Sequence, residues 1–262
     1  MPRSTDPADY QHSPHRVTAM AKEFADGYAT PRHCHERAQL IYAIAGVMQV
    51  TTDDGTWVVP TNRAVWVPAG EMHVTRHRTP VSMRTLYIAR DAAPDLPLHC
   101  GVVEVQPLLR ELILAATEQA PDAPDPTGRY RLLEQLILYE LATLPAIPLH
   151  LPLPRDRRLA AICDALQKAP DSAETLDDWA DRVGASRRTL ARHFQAETGM
   201  SFGAWRQQLR LIEALTQLAA GQPVTLVAQD LGYDSPSAFT AMFRRALGCT
   251  PSRYFAGSEE EG

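Results

Sequence analysis

Between residues 16 and 90 the hydrophobic pattern is short and strand-like. Residues 39–45, 47–51, 56–59 and 64–67 are rich in Val, Ile, Tyr and Trp, and turn signals such as Asp53-Asp54-Gly55 and Pro68-Ala69-Gly70 separate them. β-Branched and aromatic side chains suit a pleated, half-buried surface, and Gly, Pro and Asp end such runs. Several short strands of this kind predict a small all-β barrel or sandwich. After Val102 the period becomes helical. Leu108, Leu109, Leu112 and Ile113 share one face. Beyond the proline-containing stretch 121–126, Leu132, Leu133, Leu136, Ile137 and residues 139–141 form a second apolar helix. These two flanking helices either cover the sheet or pair with a second copy of the chain, because amphipathicity alone does not name a partner.

Residues 144–154 hold four prolines in eleven positions. Repeated proline favours an extended, semi-rigid spacer. The expected organisation is therefore a flexible polar arm (1–15), an N-terminal domain (16–144), a Pro-rich linker (145–154), an all-helical domain (155–257) and an acidic tail (258–262).

The helical part repeats itself weakly. The first copy carries Trp179-Ala180, Val183-Gly184-Ala185-Ser186, then Leu190, Phe194 and Gly199. The second carries Val227-Ala228, Leu231-Gly232-Tyr233, then Phe239, Phe243 and Gly248. In each, a small Ala allows close helix contact and a Gly four residues later allows the positive φ of a tight turn. Ser186 and Ser235 suit the N-cap of the following helix, and Pro236 suits its first turn. Two helix-turn-helix units follow. The stretch 202–220, with Trp205, Leu209, Ile212 and Leu215, reads as a connecting helix roughly 28 Å long, near the ~34 Å between successive major grooves on one DNA face.

The formal net charge of −5 does not by itself point to a nucleic-acid partner. Residues 155–257 carry thirteen Lys and Arg against eleven Asp and Glu, so any DNA argument rests on where the arginines sit. None of Cys34, Cys100, Cys163 and Cys249 forms a C-x-x-C pair, which argues for reduced thiols. The polar N-terminus lacks the apolar core of a signal peptide, and no run is long enough to span a bilayer. A cytoplasmic protein without membrane contact is expected.

The last hundred residues resemble the AraC/XylS family of bacterial regulators. The resemblance rests on Gly232-Tyr233-Asp234-Ser235, Phe239, Phe243-Arg244-Arg245 and Gly248-Cys249-Thr250-Pro251-Ser252-Arg253-Tyr254. It implies double-stranded promoter DNA and RNA polymerase as partners, a homodimer, and no catalytic residue; the regulator would recruit the polymerase as an activator or block it. With Leu190 and Phe194 inward, the first recognition helix would present Arg188, Ala191, Arg192 and Gln195. Arg188 and Arg192 would reach bases, Arg187 phosphate, and Ser186 the helix start. The second would present Ser237, Ala238, Ala241, Arg244 and Arg245 after Ser235. Its small side chains suit positioning on the backbone more than base reading.

The N-terminal part resembles the two motifs of the cupin barrel. Gly27, His33-x-His35, Gln39 and Gly46 match the first; Pro68-x-Gly70 and His73 match the second. Gln39 stands where the family has Glu, Asn62 where the second motif begins with Gly, and His77 where Asn is usual. The resemblance implies that His33, His35 and His73, with Gln39 as a weaker fourth group, converge on one transition metal ion; three imidazoles suit zinc, iron, nickel or copper. Against this stands a barrel whose histidines only line a pocket for a small organic effector. Tyr42, Met48, Trp57 and Trp66 are the candidate apolar lining. The overall expectation is a two-domain protein: an all-β cupin-like barrel with two flanking helices, then two helix-turn-helix units. The rivals are a metal-dependent cupin enzyme fused to a DNA reader, with Glu36 or Glu71 as acid or base, and a pure metal-ion sensor.

Overall fold

The computed structural model describes residues 4–61, 63–92, 96–143, 146–147 and 150–256. Asn62, part of the Pro-rich segment and the acidic tail lie outside the described residues. The chain divides into two compact units: Met1–Thr52 with Trp57–Leu149, and His150–Gly262 with the turn segment Asp53–Thr56.

The first unit is built from two antiparallel sheets. Its strands are β1 (Val17–Phe24), β2 (Ala38–Ala45), β3 (Met48–Thr51), β4 (Gly55–Val59), β5 (Arg63–Val67), β6 (Val74–His77), β7 (Val81–Ile88), β8 (Gly101–Glu104) and β9 (Ala146–Ile147). The larger sheet runs β1-β7-β2-β5-β8-β9, and the smaller contains β4-β3-β6. Two helices, α1 (Pro107–Ala116) and α2 (Arg129–Thr143), follow β8.

Register sorts the side chains of the large sheet. Leu40 pairs with Trp66 and Tyr42 with Ala64, while Gln39 pairs with Val67 and Tyr87, and Ile41 with Val65 and Thr85. Successive strand residues point to opposite faces. Leu40, Tyr42, Ala64, Trp66 and Leu86 join one apolar core with Leu109, Ile113, Leu133, Ile137 and Leu141 of the helices. Burying each such aliphatic side chain contributes about 1.5–3 kcal/mol. Gln39, Thr85 and Tyr87 occupy the opposite face. The helices thus cover the outer face of the sheet. They do so with part of their apolar surface only: Leu108, Leu132, Leu136 and Tyr139 remain 48–68% exposed.

One expectation needs correction. The N-terminal segment is not a free arm. Its 3₁₀ turn Pro7–Tyr10 buries Tyr10 against Tyr87, with ring centroids 5.8 Å apart. The buried Arg37 guanidinium donates to the carbonyls of Gln11 and His15, each at 2.8 Å, and of Ser13. Ser13 in turn donates to the Pro121 carbonyl. A buried guanidinium requires partners, and these carbonyls supply them. The Pro-rich segment is extended, as expected, and the division between the two units falls within it, but its described residues are also paired. β9 adds to β8 through Val102–Ile147 and Val103–Ala146, whereas β10 (His150–Pro152) belongs to the second unit. There Leu151 is buried and the Trp205 indole donates to the Pro152 carbonyl at 2.7 Å. Extended backbone of this kind is what an open sheet edge or an indole donor can bind.

The second unit is helical: α3 (Arg157–Lys168), α4 (Leu176–Val183), α5 (Arg187–Thr198), α6 (Phe202–Ala219), α7 (Val224–Asp230), α8 (Pro236–Leu247) and α9 (Pro251–Ala256). α4–α5 and α7–α8 are the two helix-turn-helix units, and α6 joins them. Gly232, after α7, has φ of 69°, and a Cβ there would lie 2.9 Å from the Asp171 carbonyl oxygen. Only glycine fits that turn without moving backbone.

Candidate functional site

Each recognition helix is held by local chemistry. The Thr175–Asp178 capping box starts α4, and Gly184 at φ 66° ends it. Ser186 accepts from Thr189 N to start α5, and Gly199 at φ 70° ends it. Ser235 accepts from Ala238 N to start α8, with Pro236 in the first turn, and Gly248 at φ 80° ends it. Leu190 and Phe194 are fully buried in the first helix-turn-helix, Phe239 and Phe243 in the second.

The remaining face of α5 is open. Ser186, Arg187, Arg188, Ala191, Arg192 and Gln195 are all exposed. Arg188 and Arg192 stand one turn apart on that face. Arg187 lies 3.6 Å from Asp177 of α4, and the Gln195 amide donates to the Gly199 carbonyl at 2.8 Å, so both are partly engaged. On α8, Ser237, Ala241, Arg244 and Arg245 border an open hollow of about 700 Å³ that reaches Thr250. Ser235, the N-cap of α8, is half-buried.

The sequence pattern missed the supports of these helices. Arg206 and Arg210 of α6 donate to the carbonyls of Pro170, Ser172 and Glu174, clamping the segment before α4. Arg210 also lies over the Tyr233 ring at 5.6 Å. Arg182 sits 4.4 Å over Trp179 and pairs with Glu174. The one available signal was the i, i+4 spacing of the two α6 arginines.

In the first unit the histidines converge. His33 and His73 form an isolated bridge, exchanging backbone hydrogen bonds of 3.0 and 2.8 Å. His35 is held by Gly70 N, which donates to its carbonyl at 2.8 Å. Neither His33 nor His35 lies in regular strand, yet one ligand atom from each of His33, His35 and His73 falls within 4.8 Å of the others. Cys34, between them, is exposed.

The second contacts set the tautomers. His33 Nδ1 lies 2.8 Å from the Pro31 carbonyl and His73 Nδ1 3.0 Å from that of Glu71. A carbonyl only accepts, so both Nδ1 atoms carry a proton, and in the neutral ring this tautomer leaves the lone pair on Nε2. His35 Nε2 and His73 Nε2 are buried without a hydrogen-bond partner. Burial first, then the neighbouring His33 and His73, pushes the His35 pKa down to about 3. Burial lowers that of His73 to about 4. Neutral imidazoles with orphaned, inward nitrogens fit a metal ion. Gln39 donates through Nε2 to Thr85 Oγ1 at 3.0 Å and to the Tyr87 hydroxyl at 3.4 Å, leaving its buried Oε1 without a partner. Tyr87 stands edge-on to His35 at 5.1 Å, which ties Gln39 to the same neighbourhood. Glu36 is exposed, and Glu71 contributes its carbonyl to His73.

The structure does not unite the four apolar residues expected to line a pocket. Tyr42 and Trp66 pack under the helices, on the outer face of the large sheet. Met48 pairs with His77 in the smaller sheet. Trp57 is buried in β4. Strand alternation separates residues that composition had grouped. Among these four, Trp66 borders cavities, discussed below.

Comparison with known proteins matches both units. A model of the helix-turn-helix domain covers residues 179–257, and one of the AraC-like ligand binding domain covers residues 21–142. The HTH-type transcriptional regulator NimR of Escherichia coli (strain K12) is 38% identical over 232 residues, which span 88% of this chain and 84% of NimR. The arabinose operon regulatory protein of the same organism is 30% identical over 142 residues, 51% of this chain and 48% of its own. Among solved structures, ToxT from Vibrio cholerae aligns over 92% of this chain and 98% of its own, at 8% identity and a TM-score of 0.39.

Proposed function

This chain belongs to the AraC family of DNA-binding transcription regulators, and from that premise we propose that it is a homodimeric, effector-controlled activator whose signal is received at the histidine cluster. α5 supplies the base contacts through Arg188 and Arg192, and α8 places the protein through Ser235, Ser237, Ala241, Arg244 and Arg245. Arginine pairs bidentately with guanine, whereas small side chains reach little beyond the backbone. The partner is double-stranded promoter DNA, and the bound protein recruits RNA polymerase in the cytoplasm. No helix among the described residues is long and apolar enough to cross a membrane.

The dimer reading rests on α2. Leu132, Leu136 and Tyr139 are spaced i, i+4, i+7 and are exposed, forming one apolar stripe that a second copy would cover.

The effector reading rests on a single observation: three imidazoles converge, and the Nε2 atoms of His35 and His73 are buried there without a partner. His33, His35 and His73 would hold one transition metal ion, with Gln39 Oε1 as the adjacent neutral oxygen. Zinc, iron, nickel and copper suit such a donor set. When bound, the ion would supply a positive charge and an open coordination position for a small effector. Pro31 and Glu71 orient the His33 and His73 rings, and burial disfavours the charged forms of His35 and His73. No catalytic residue is assigned, since Glu36 faces solvent.

The test is metal content by mass spectrometry on untagged protein purified without chelator, beside the His33→Ala/His35→Ala variant. About one transition metal per chain, lost in the variant, is expected. No metal in either after reconstitution would reduce the histidines to pocket lining and leave an organic effector alone. DNA affinity that tracks free metal would favour the ion itself as the signal.

A further inference from the structure

The outer face of the large sheet is not completely filled. A cavity of about 200 Å³ lies between Leu40, Trp66, Leu96, Gly101, Val103 and Leu141. A second, of about 250 Å³, shares Trp66, Leu96 and Pro97 with it and continues past Ala38 and Ile88.

Gly101 is the reason the first cavity exists. It stands directly opposite Trp66 in the β5–β8 ladder. Its φ is not positive, so no turn requires glycine there. A Cβ built on it would meet nothing within 4 Å. Gly101 is the first residue of β8, and its missing side chain leaves the space beside Trp66 open.

Most of the wall is apolar. The Trp66 Nε1 proton is already donated to the Pro97 carbonyl at 2.7 Å, Leu40, Val103 and Leu141 offer no polar atom, and His99 and Cys100 bring the polar side chains of the lining. A buried water needs two to four polar partners, while an apolar cavity of about 150 Å³ stays dry and takes up benzene. An indole wall also favours a flat aromatic guest by offset or edge contact.

We propose that this cavity is a binding site for a small, neutral, single-ring aromatic molecule, separate from the histidine cluster and independent of the metal reading. The guest rests between the Trp66 indole and Leu141, in the last turn of α2. That helix carries the exposed Leu132-Leu136-Tyr139 stripe, so occupancy bears on the element proposed to pair two copies.

The experiment titrates toluene into the full chain by calorimetry, with the thermal midpoint recorded alongside. Toluene should saturate one site per chain and raise the midpoint with concentration, as mass action requires. Gly101→Val adds a side chain whose Cβ meets nothing within 4 Å, so it should fold as well as the parent and bind toluene at least tenfold more weakly. Val103→Phe, which fills the same space from the next position on that face, is expected to do likewise and covers the case in which the first variant misfolds. The His33→Ala/His73→Ala variant should bind toluene as the parent does. Absence of saturable binding to the parent overturns the proposal. So does a loss of less than tenfold in both filled variants. Loss of toluene in the histidine variant, with binding retained in the filled ones, would place the guest at the imidazoles and overturn it as well.

Discussion

α5 and α8 are the same scaffold with different outward faces. Both are twelve residues long, begin at a serine cap and end at a left-handed glycine. Both bury an apolar pair four residues apart: Leu190 and Phe194 in one, Phe239 and Phe243 in the other. Outward, α5 shows Arg188 and Arg192 where α8 shows Ser237 and Ala241, with Arg244 and Arg245 confined to its last turn. Caps and buried positions fix the helix, and the free face is left to chemistry. Repetition of a fold within one chain therefore does not imply repetition of its role.

The comparison can be sharpened where the two helices should behave alike. Phe194→Ala and Phe243→Ala each open a cavity at a fully buried site, and each should cost about 3–5 kcal/mol in denaturant unfolding. A loss confined to one helix would show that the two scaffolds are not equivalent.

It can be broken where they should differ. Arg192→Ala should lose about 1–3 kcal/mol of discrimination at the base pair it reads, measured by competition between matched and mismatched operators. Arg244→Ala should weaken binding to all sequences alike. It should also reduce the slope of log affinity against log salt by about 1, as expected when one phosphate contact is removed. Smaller effects follow from the caps. Ser186→Ala and Ser235→Ala should each destabilise by about 1 kcal/mol in thermal unfolding. The smallest is Gln195→Ala, within about 0.5 kcal/mol for both stability and specificity. Its amide is occupied by the Gly199 carbonyl rather than extended toward a base.

What the sequence made legible follows from range. Helix caps, the turn glycines and the outward arginines are local, set by a period of 3.6 residues, so Ser186, Gly232 and Arg192 could be placed from spacing alone. The histidine cluster was legible for another reason. Its motif pairs His33 with His35 by position, and the bridge to His73 brings in the third ring. Facing was harder. Tyr42 and Trp66 were grouped with Met48 as pocket lining, but which side of a strand is lumen depends on where α1 and α2 settle, tens of residues away. The same holds for Tyr10 on Tyr87, Arg37 on the carbonyls of Gln11, Ser13 and His15, and Arg206 and Arg210 on the segment before α4. Each is a long-range contact between residues that look solvent-exposed in a linear pattern. The vacancy beside Gly101 was invisible for the same reason, since it appears only when β8 lies opposite Trp66.

The central claim is that α5 reads the operator and α8 positions the protein on it. The most direct measurement selects bound duplexes from randomised DNA with the parent chain, Arg192→Ala and Arg244→Ala at matched occupancy, and sequences them. The account predicts that Arg192→Ala loses base preference at one or two adjacent positions, while Arg244→Ala keeps every preference of the parent and needs more protein to reach the same occupancy. Equal loss of preference in both variants, or an unchanged preference in Arg192→Ala, would contradict it.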